Sequence, residues 1–520
     1  MAVKDLAQAQ PNSFTAEAPV CIIGAGMAGL TLAHSLALKG IRVLLLESGD
    51  TVVDGEAEIL NRIDNVNGRW TGALRSRCRG IGGTSRRWGG RTIPIALEEA
   101  RARPHLDSEG WPFPISELDR YTAEIETLLL LDHSSYEADL YGQTDIDPDF
   151  RIRWAKWPAF SNLNLAKRLH RQVISNRHVT IWSNATVTGF AFAAADGRLD
   201  KVTARHCSGR EITVRAQRFV IAAGAVESTR LLLWMQRQPG QGLLGSKALG
   251  RYFQDHLNLK SAKVVRHHVG ESNKLLGYRF ANSVRRSLHL ELSPQTQAEC
   301  GVASAFAYVS MDMDGSALGS IKKIARNLQQ GQMDTTELLA LSGHSSLIFQ
   351  SLVWRYMRKR LLVPASVDFN VEICAEQAPH WDNAITLSKD KDRHGIPLAS
   401  IDWEPKAEDE KTLRVSVERL AQFWSRSGWD KVASLAFLPS ITDSCSRLVD
   451  TSIDYYHPSG TTRMGWDKAS STVSGDLTCH DVSNLSVLSA SVFPRAGSAN
   501  PTFTLMRMAH RLGDYLATKF

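Results

Sequence analysis

The sequence predicts an α/β fold, α+β overall, with an interrupted parallel-sheet domain that carries a β-meander and a second domain with a mixed or antiparallel sheet backed by helices. Three observations predict it. Residues 20–49 read as a buried strand, a tight glycine turn, a helix and a second buried strand. Alternating patterns predict strands at 180–192, 200–206 and 211–216, and they lead back to a buried strand at 218–225 that runs into another glycine turn. Between 259 and 450, strand-like segments at 367–374, 384–387 and 398–403 precede a long helical pattern with exposed charges at 405–424.

The first glycine turn, GAGMAG at 24–29, has the spacing of a dinucleotide-binding Rossmann-like motif. We expect Gly24 to form the turn, and Gly26 to let backbone N–H groups reach a pyrophosphate at the helix N-terminus. Gly29 is expected to let helix and strand pack closely. The second strand ends on Glu47, whose carboxylate is expected to accept hydrogen bonds from the ribose hydroxyls. Since the turn lies between a strand and a helix, with an acid after the next strand, an ordinary glycine-rich turn is the weaker interpretation.

A second glycine cluster follows at 80–91, with five glycines between Gly80 and Gly90 and with Trp88 among them. So many glycines indicate backbone that lies close against a flat or phosphorylated group, with Trp88 as a wall.

The changes of pattern divide the chain. We assign 18–100, 179–258 and 451–520 to a discontinuous nucleotide-binding domain, 101–178 to a connecting or lid segment, and 259–450 to a substrate-binding domain with a helical insertion at about 318–364. The insertion carries two amphipathic patterns within 321–362. The second, the basic stretch 347–362, has two open interpretations, contact with a membrane surface and a lid or subunit contact.

Composition narrows the function classes. The net charge of +7 is spread over 61 basic and 54 acidic residues, which indicates a solvated surface and no nucleic-acid partner. Seven scattered cysteines without a CxxC pair predict a reducing compartment and no metal site. Residues 1–19 carry no signal-peptide pattern, so a cytoplasmic location is expected. No apolar run reaches the roughly 18 residues of a transmembrane helix.

Candidate catalytic residues lie near the C-terminus. His457 sits in a glycine-containing loop after two tyrosines, and histidine is the side chain best suited to accept a proton near neutral pH. Asn500-Pro501 opens the last helical pattern, with Asn suited to the N-cap and Pro to the first helical position. A helix N-terminus directed at a cofactor would stabilise negative charge. A hydrolase elbow GxSxG and a zinc motif HExxH are both missing from the sequence.

The chain resembles the glucose-methanol-choline (GMC) oxidoreductases. The resemblance rests on a collinear series of segments: 24–29 with Glu47, GGTSxxWGG at 82–90, ATV at 185–187, AAGAVES at 222–228, GR through DH at 250–256, HPxGTxRMG at 457–465 and NPxxT at 500–504. It implies an extended FAD whose ring faces His457, and oxidation of an alcohol by hydride transfer to flavin N5. It also implies His457 as the catalytic base and Asn500 as its partner.

The resemblance implies further cofactor contacts. They are Gly24, Gly26, Met27, Ala28, Gly29, Glu47, Thr84, Ser85, Trp88, Gly89, Gly90, Val187, Ala223, Gly224, Ala490 and Thr502. Two positions depart from the family pattern. Ser489 stands where the family commonly has Asp. Arg87 stands where some sugar oxidases attach the flavin through a His, so this chain is expected to bind FAD without a covalent link.

The nearest likeness, which includes GWP at 110–112 and EQAP at 376–379, is to bacterial members similar to pyranose oxidases and glycoside 3-dehydrogenases. It implies oxidation of a secondary hydroxyl of a sugar or glycoside. Oxidation of a non-sugar alcohol, such as a natural product or sterol, and a redox-neutral flavoprotein lyase stay open as alternatives. The electron acceptor (oxygen, a quinone or a redox protein) and a homo-oligomeric state are also open. For His256, a polar contact in the site and a structural role are both open.

Overall fold

The computed structural model describes residues 3–520 except 54, 138–146, 195–196, 239–244, 315, 321–322 and 325–344. The strands are β1 (Val3–Asp5), β2 (Ser13–Ile23), β3 (Val43–Leu46), β4 (Ile63–Asn65), β5 (Phe150–Trp157), β6 (Val179–Ser183), β7 (Thr186–Phe192), β8 (Leu199–Arg205), β9 (Glu211–Ile221), β10 (Leu257–Arg266), β11 (Arg279–Ala281), β12 (Val284–Leu292), β13 (Ala305–Asp312), β14 (Asp368–Ala375), β15 (Ala384–Lys391), β16 (Pro397–Asp402), β17 (Ala433–Phe437), β18 (Ile453–Asp454) and β19 (Leu485–Val487).

The longer α-helices are α1 (Met27–Leu38), α2 (Thr122–Leu129), α3 (Ala225–Met235), α4 (Val269–Leu276), α5 (Pro294–Cys300), α6 (Ser345–Met357), α7 (Ala407–Arg426) and α8 (Pro501–Ala517). One-turn helices cover Gly55–Glu58, Gly72–Arg75, Leu97–Ala100, Leu165–Arg168, Pro439–Thr442 and Leu448–Thr451, and a 3₁₀ helix, Ile115–Tyr121, leads into α2. Within the described part of the chain, no helix has both the length and the apolar character that crossing a bilayer requires.

The first sheet has the order β1-β6-β3-β2-β9-β8-β7, with β19 also paired to β9. The first five strands of this order, β1, β6, β3, β2 and β9, run parallel to one another. Strands β9, β8 and β7 form the predicted antiparallel meander. The glycine turns at Gly24 and Gly224 follow β2 and β9 directly, so α1 and α3 begin at the same sheet edge. Ligands of such sheets bind at this carboxyl edge.

The strand boundaries in this region differ from the sequence prediction. The predicted strand 180–192 is divided at Asn184, whose φ of 55° ends β6 and starts β7 in a new direction. The two strands predicted at 211–216 and 218–225 are one strand, because β9 pairs with β2 along its whole length, including Ala216 and Arg218 on either side of the expected break.

The second sheet is antiparallel, in the order β11-β12-β13-β14-β10-β17, with β5 on β12 and β18 on β10. The helix α7 packs on β13 and β14 and closes an apolar core that includes Leu413, Leu420 and Trp424. The predicted strand 367–374 and helix 405–424 therefore match β14 and α7. Strand β5 comes from the connecting segment 101–178, a contribution that the sequence did not predict.

A third, smaller sheet has the order β15-β16-β4, so the predicted strands 384–387 and 398–403 pair with each other and with β4 outside the second sheet. In the helical insertion, most of the first predicted pattern lies outside the described residues. The second corresponds to α6, which buries no side chain and exposes Phe349, Tyr356 and Met357. Both interpretations of this basic helix therefore stay open.

Candidate active site

A cavity of about 660 Å³ lies at the carboxyl edge of the first sheet and reaches residues of the second. The N-termini of α1, α3 and α8 line it, and their N-cap residues are Gly26, Gly224 and Asn500. None of the three helices is capped by a side chain. Because free N–H groups and the positive ends of helix dipoles meet there, the cavity suits an extended anionic ligand.

The first glycine turn has the predicted division of roles. A Cβ on Gly29 would lie 2.0 Å from the carbonyl oxygen of Gly24, so this glycine allows helix and turn to pack together. A Cβ on Gly26 would meet no atom within 4 Å, since this position faces the cavity. The second glycine cluster packs directly on the first, because a Cβ on Gly83 would lie 2.8 Å from the Cα of Gly26. The turn is thus tight underneath and open toward the cavity, which fits a bound dinucleotide.

Glu47 joins these two glycine loops. One carboxylate oxygen accepts from the N–H of Ala25 at 2.8 Å, and the other from those of Gly49 and Gly80 at 3.0 Å each. The carboxylate is buried and also lines the cavity. Its contact with a ribose stays a prediction, and the structure adds that it holds the two loops together.

Most of the other expected cofactor residues line the cavity: Met27, Ala28, Thr84, Trp88, Gly89, Gly90, Val187, Ala223, Ala490 and Thr502, together with Gly24. Trp88 is fixed by its Nε1–H, which donates to the carbonyl of Leu163 at 2.9 Å. Gly29 and Ser85 are not part of the lining. The Ser85 hydroxyl donates to the Gly82 carbonyl and accepts from the N–H of Leu165, so it supports the loop from below.

Three arginines of the loop before the second glycine cluster, Arg75, Arg77 and Arg79, also line the cavity. Arg79 lies 2.9 Å and Arg77 3.4 Å from the carboxylate of Glu227. Burial alone would raise the pKa of Glu227, but Arg230, Arg79 and Arg77 lower it to about 2. The carboxylate is therefore ionised and holds this cationic wall in place.

His457 and Asn500 meet at the other end of the cavity. The Nδ2 of Asn500 lies 3.2 Å from the Nε2 of His457, while its Oδ1 is buried with no hydrogen-bond partner among the described residues. Asn500 occupies the N-cap position of α8 without capping it, because its amide is turned to His457. Asn500 is therefore at the predicted N-cap position, and its side chain contacts His457 instead of the helix.

Two neighbours from the turn before β10 hold His457. The backbone N–H of His457 donates to Oδ1 of Asp255 at 2.7 Å, and Trp70 donates to the other oxygen at 2.9 Å. Burial and the charge of Asp454 raise the pKa of Asp255 to about 8. His256 lies against the His457 ring, with 2.8 Å between the two Nδ1 atoms. Of the two interpretations of His256, the structure therefore favours contact with the site.

Burial, His256 and the guanidinium of Arg91 together hold the pKa of His457 well below its usual range. The imidazole is consequently neutral at neutral pH and able to accept a proton.

A polar wall next to His457 had no motif in the sequence. Glu372 accepts hydrogen bonds from Asn258 at 2.6 Å and from the Tyr308 hydroxyl at 2.8 Å, and Tyr455 donates to Tyr308 at 2.8 Å. Asn258, Glu372 and Tyr455 line the cavity. These residues come from β10, β13, β14 and the segment after β18, so only the folded second sheet brings them together.

Arg91 lines the same part of the cavity. Its guanidinium lies over the rings of Phe306 and Tyr308, at 4.6 and 5.0 Å, and it donates to Nδ1 of His289 at 2.9 Å. No carboxylate in the described ranges forms an ion pair with it, and burial lowers its pKa. Arg91 is the last residue of the second glycine cluster, and this position was the one available signal.

The chain is similar in sequence to known families and proteins. Residues 379–509 match the family model of the GMC oxidoreductases, and residues 22–53 match that of the NAD(P)-binding Rossmann-like domain. The chain is 22% identical to the 2-methyl-1,2-propanediol dehydrogenase of Mycolicibacterium austroafricanum, over 96% of this chain and 95% of that protein. It is 23% identical to the 6'''-hydroxyparomomycin C oxidase of Streptomyces lividus, over 96% and 91%.

The fold is shared with solved structures. The crystal structure of formate oxidase superposes with a TM-score of 0.59 at 15% identity, over 97% of this chain and 99% of that one. The predicted α/β fold class is confirmed. The nucleotide turn, the uncapped helix termini and the His457–Asn500 pair occupy one cavity in a chain with full-length relatives among dehydrogenases and oxidases. The chain is thus similar to the GMC oxidoreductases, and this likeness supports an FAD-dependent alcohol oxidoreductase.

Proposed function

We propose that the protein oxidises a secondary hydroxyl of a sugar or glycoside to a ketone, with His457 as the base. The observation that carries this proposal is the position of His457 Nε2 and the Asn500 amide, 3.2 Å apart at the cavity, beside a wall of hydrogen-bonding side chains.

The chain's own residues account for the proton. Bound FAD would supply the hydride acceptor, and the side chains would accept the hydroxyl proton and position the substrate oxygen. His457 is neutral because of its lowered pKa, so it accepts the hydroxyl proton as the carbon–hydrogen bond breaks. The Asn500 amide donates to the same substrate oxygen and keeps it in line with the imidazole. A substrate oxygen seated between the two side chains replaces their direct contact.

The polar wall supports a polyhydroxylated substrate. Asn258, Glu372, Tyr455 and Arg91 offer donors and acceptors beside His457, which a purely apolar alcohol would leave without partners. The two full-length relatives are named for hydroxyl compounds, 2-methyl-1,2-propanediol and 6'''-hydroxyparomomycin C. A non-sugar alcohol is therefore the second candidate.

The likeness to pyranose oxidases and glycoside 3-dehydrogenases has a narrower basis. Its two segments include Trp111, which is buried against Phe493, and Glu376, which is buried among arginines. Neither residue is part of the cavity lining. The sugar proposal therefore rests on the polar wall more than on these segments.

Anaerobic mixing with a panel of glycosides, free sugars, 2-methyl-1,2-propanediol and sterols tests the function. We expect the flavin to bleach with sugars or glycosides, and His457→Ala to slow bleaching about 10²- to 10⁴-fold. His380→Ala, which changes an exposed histidine outside the cavity, should have no such effect. Near-normal flavin reduction in His457→Ala would refute the base, and product without bleaching would indicate a lyase.

We also infer that FAD is bound without a covalent link. Arg87 lines the cavity, and its guanidinium donates to the carbonyls of Leu74 and Arg77 and pairs with Glu58 at 2.8 Å. A guanidinium that stays protonated offers no nucleophile to the flavin. Acid precipitation should release all flavin into the supernatant, and flavin retained in the protein pellet would contradict this.

The location and the electron acceptor are separate matters. All seven cysteines are unpaired, which supports the proposed cytoplasmic, reducing location.

Rates of reoxidation by oxygen, a soluble quinone and a redox protein, measured on the same reduced enzyme, will distinguish the three acceptor classes.

A further inference from the structure

We propose that His256 is a positioning residue that keeps the proton of His457 on Nδ1 and thereby leaves Nε2 free as the base. The inference rests on the proposed role of His457.

The fold places the two histidines side by side. Strand β10 pairs antiparallel with β18, so that Leu257 lies opposite Asp454. The pairing continues one step further, where the N–H of Tyr455 donates to the carbonyl of His256 at 3.0 Å. The two imidazole rings are perpendicular, at 85°, with centroids 4.9 Å apart. His256 itself is only 1% exposed, so its hydrogen bonds are made within the protein.

The hydrogen bonds of His256 assign its proton. Its Nε2 lies 2.7 Å from the carbonyl oxygen of Gly497, and a carbonyl can only accept, so Nε2 carries the proton. A neutral imidazole has one such proton, and burial lowers the pKa of His256, which keeps it neutral. Its Nδ1 is therefore an acceptor.

The same accounting then fixes His457. Its Nδ1 lies 2.8 Å from the acceptor Nδ1 of His256 and must be the donor of that pair. The neutral ring then has no proton left for Nε2. The Asn500 amide agrees with this assignment, because its Nδ2 donates to a bare nitrogen, whereas the flipped amide would set two acceptors against each other.

The Gly497 carbonyl, which accepts the hydrogen bond from His256, is held in place by its loop. Gly497 precedes Ser498, whose N–H and hydroxyl both donate to the same oxygen of the buried Glu99, at 2.9 and 2.7 Å. The loop therefore presents the Gly497 carbonyl to His256 in one orientation. Without an acceptor at position 256, the Nδ1–H of His457 would be buried and unpaired, and the proton would favour Nε2, where it blocks the base.

Two substitutions separate this role from packing. In His256→Asn, the amide oxygen takes the place of Nδ1 and still accepts from His457. In His256→Gln, the longer side chain reaches toward Gly497 and offers no acceptor at that place. We expect flavin reduction in the holoenzyme to stay within about tenfold of wild type for His256→Asn and to fall at least about 100-fold for His256→Gln, with similar substrate Kd.

The outcomes are distinguishable from those of the proposed function. Equal rates for the two variants, while His457→Ala is inactive, would overturn the inference and leave the base intact. If His457→Ala remains active, the proposed function fails first. Nitrogen-15 NMR of the histidines in wild-type holoenzyme, assigned with His457→Ala, is independent of variant folding. We expect a protonated Nδ1 and a bare Nε2 for His457, and a protonated Nε2 would overturn the inference.

Discussion

At the scale of single residues, the proposed chemistry depends on the proton affinity of His457. Burial disfavours the charged ring, and His256 and Arg91 lower its pKa further. The proposed base is therefore already unprotonated at neutral pH, and the rate of flavin reduction should stay constant until the pH falls well below 6.5, the ordinary pKa of histidine.

Replacing Arg91 tests this electrostatic contribution. Arg91→Gln removes a positive charge, so the pKa of His457 should rise toward its usual value. A base with a higher pKa becomes protonated at a higher pH, and the acidic decline of the flavin reduction rate should move upward in pH. Stopped-flow reduction at saturating substrate, from acidic to neutral pH, measures the shift. Arg358→Gln, on the side of Trp354 and outside the cavity, is the control. An unchanged acidic limb in Arg91→Gln would contradict the assignment.

Sequence reasoning reached some of these residues and not others. His457 and Asn500 lie in short segments with recognisable composition, so the sequence predicts both as site residues. The contact between His256 and His457 joins positions 201 residues apart and depends on the pairing of β10 with β18. Such a pairing is non-local, and no local pattern of the sequence encodes it. Glu372 and Arg91 were missed for the same reason.

At the scale of elements, three helices begin at one cavity, and no side chain caps the N–H groups of their first turns. The sequence predicted this for α1, because the strand, turn and helix are contiguous and the glycine spacing is specific. It did not predict that β5 joins the second sheet or that β4 joins β15 and β16. Those strands are short or isolated in the chain, and their partners are chosen by tertiary packing.

Two glycines of the first turn allow a matched test. Gly26 has a φ of −78°, which alanine adopts readily, and its Cβ would point into the cavity. Gly26→Ala should leave the apoprotein as stable as wild type and raise the Kd for FAD about ten- to hundredfold. Gly29→Ala forces a Cβ against the Gly24 carbonyl and should destabilise the apoprotein by about 1–3 kcal/mol or more.

Flavin titration and denaturant unfolding of the two apoproteins measure both effects. If the two variants lose FAD affinity and stability to the same extent, the assignment of an open face at Gly26 and a packed face at Gly29 is wrong.

At the scale of the whole molecule, one buried ion cluster ties distant segments to the site. Glu376, at the end of β14, accepts two hydrogen bonds from Arg103 of the connecting segment, at 2.8 and 2.7 Å, and one from Arg495 at 3.0 Å. Burial alone would raise the pKa of this carboxyl, but Arg103 and Arg495 hold it well below its ordinary value. Arg495 begins the loop that presents Gly497 and Asn500, so the second sheet and the loop 495–500 are joined here.

Removing the anion should therefore destabilise the molecule as a unit. Glu376→Gln leaves two guanidinium groups buried without a countercharge, a change that typically costs about 3–5 kcal/mol. The stabilisation by an acid with a lowered folded pKa is present above its unfolded pKa and is lost as the pH falls, so the difference between wild type and variant should shrink in acid. Urea unfolding of both holoenzymes at neutral and acidic pH measures this. Glu271→Gln, which removes an exposed partner of Lys274, should leave stability unchanged. A Glu376→Gln enzyme as stable as this control would mean that the cluster does not hold the second sheet to the connecting segment and the loop 495–500.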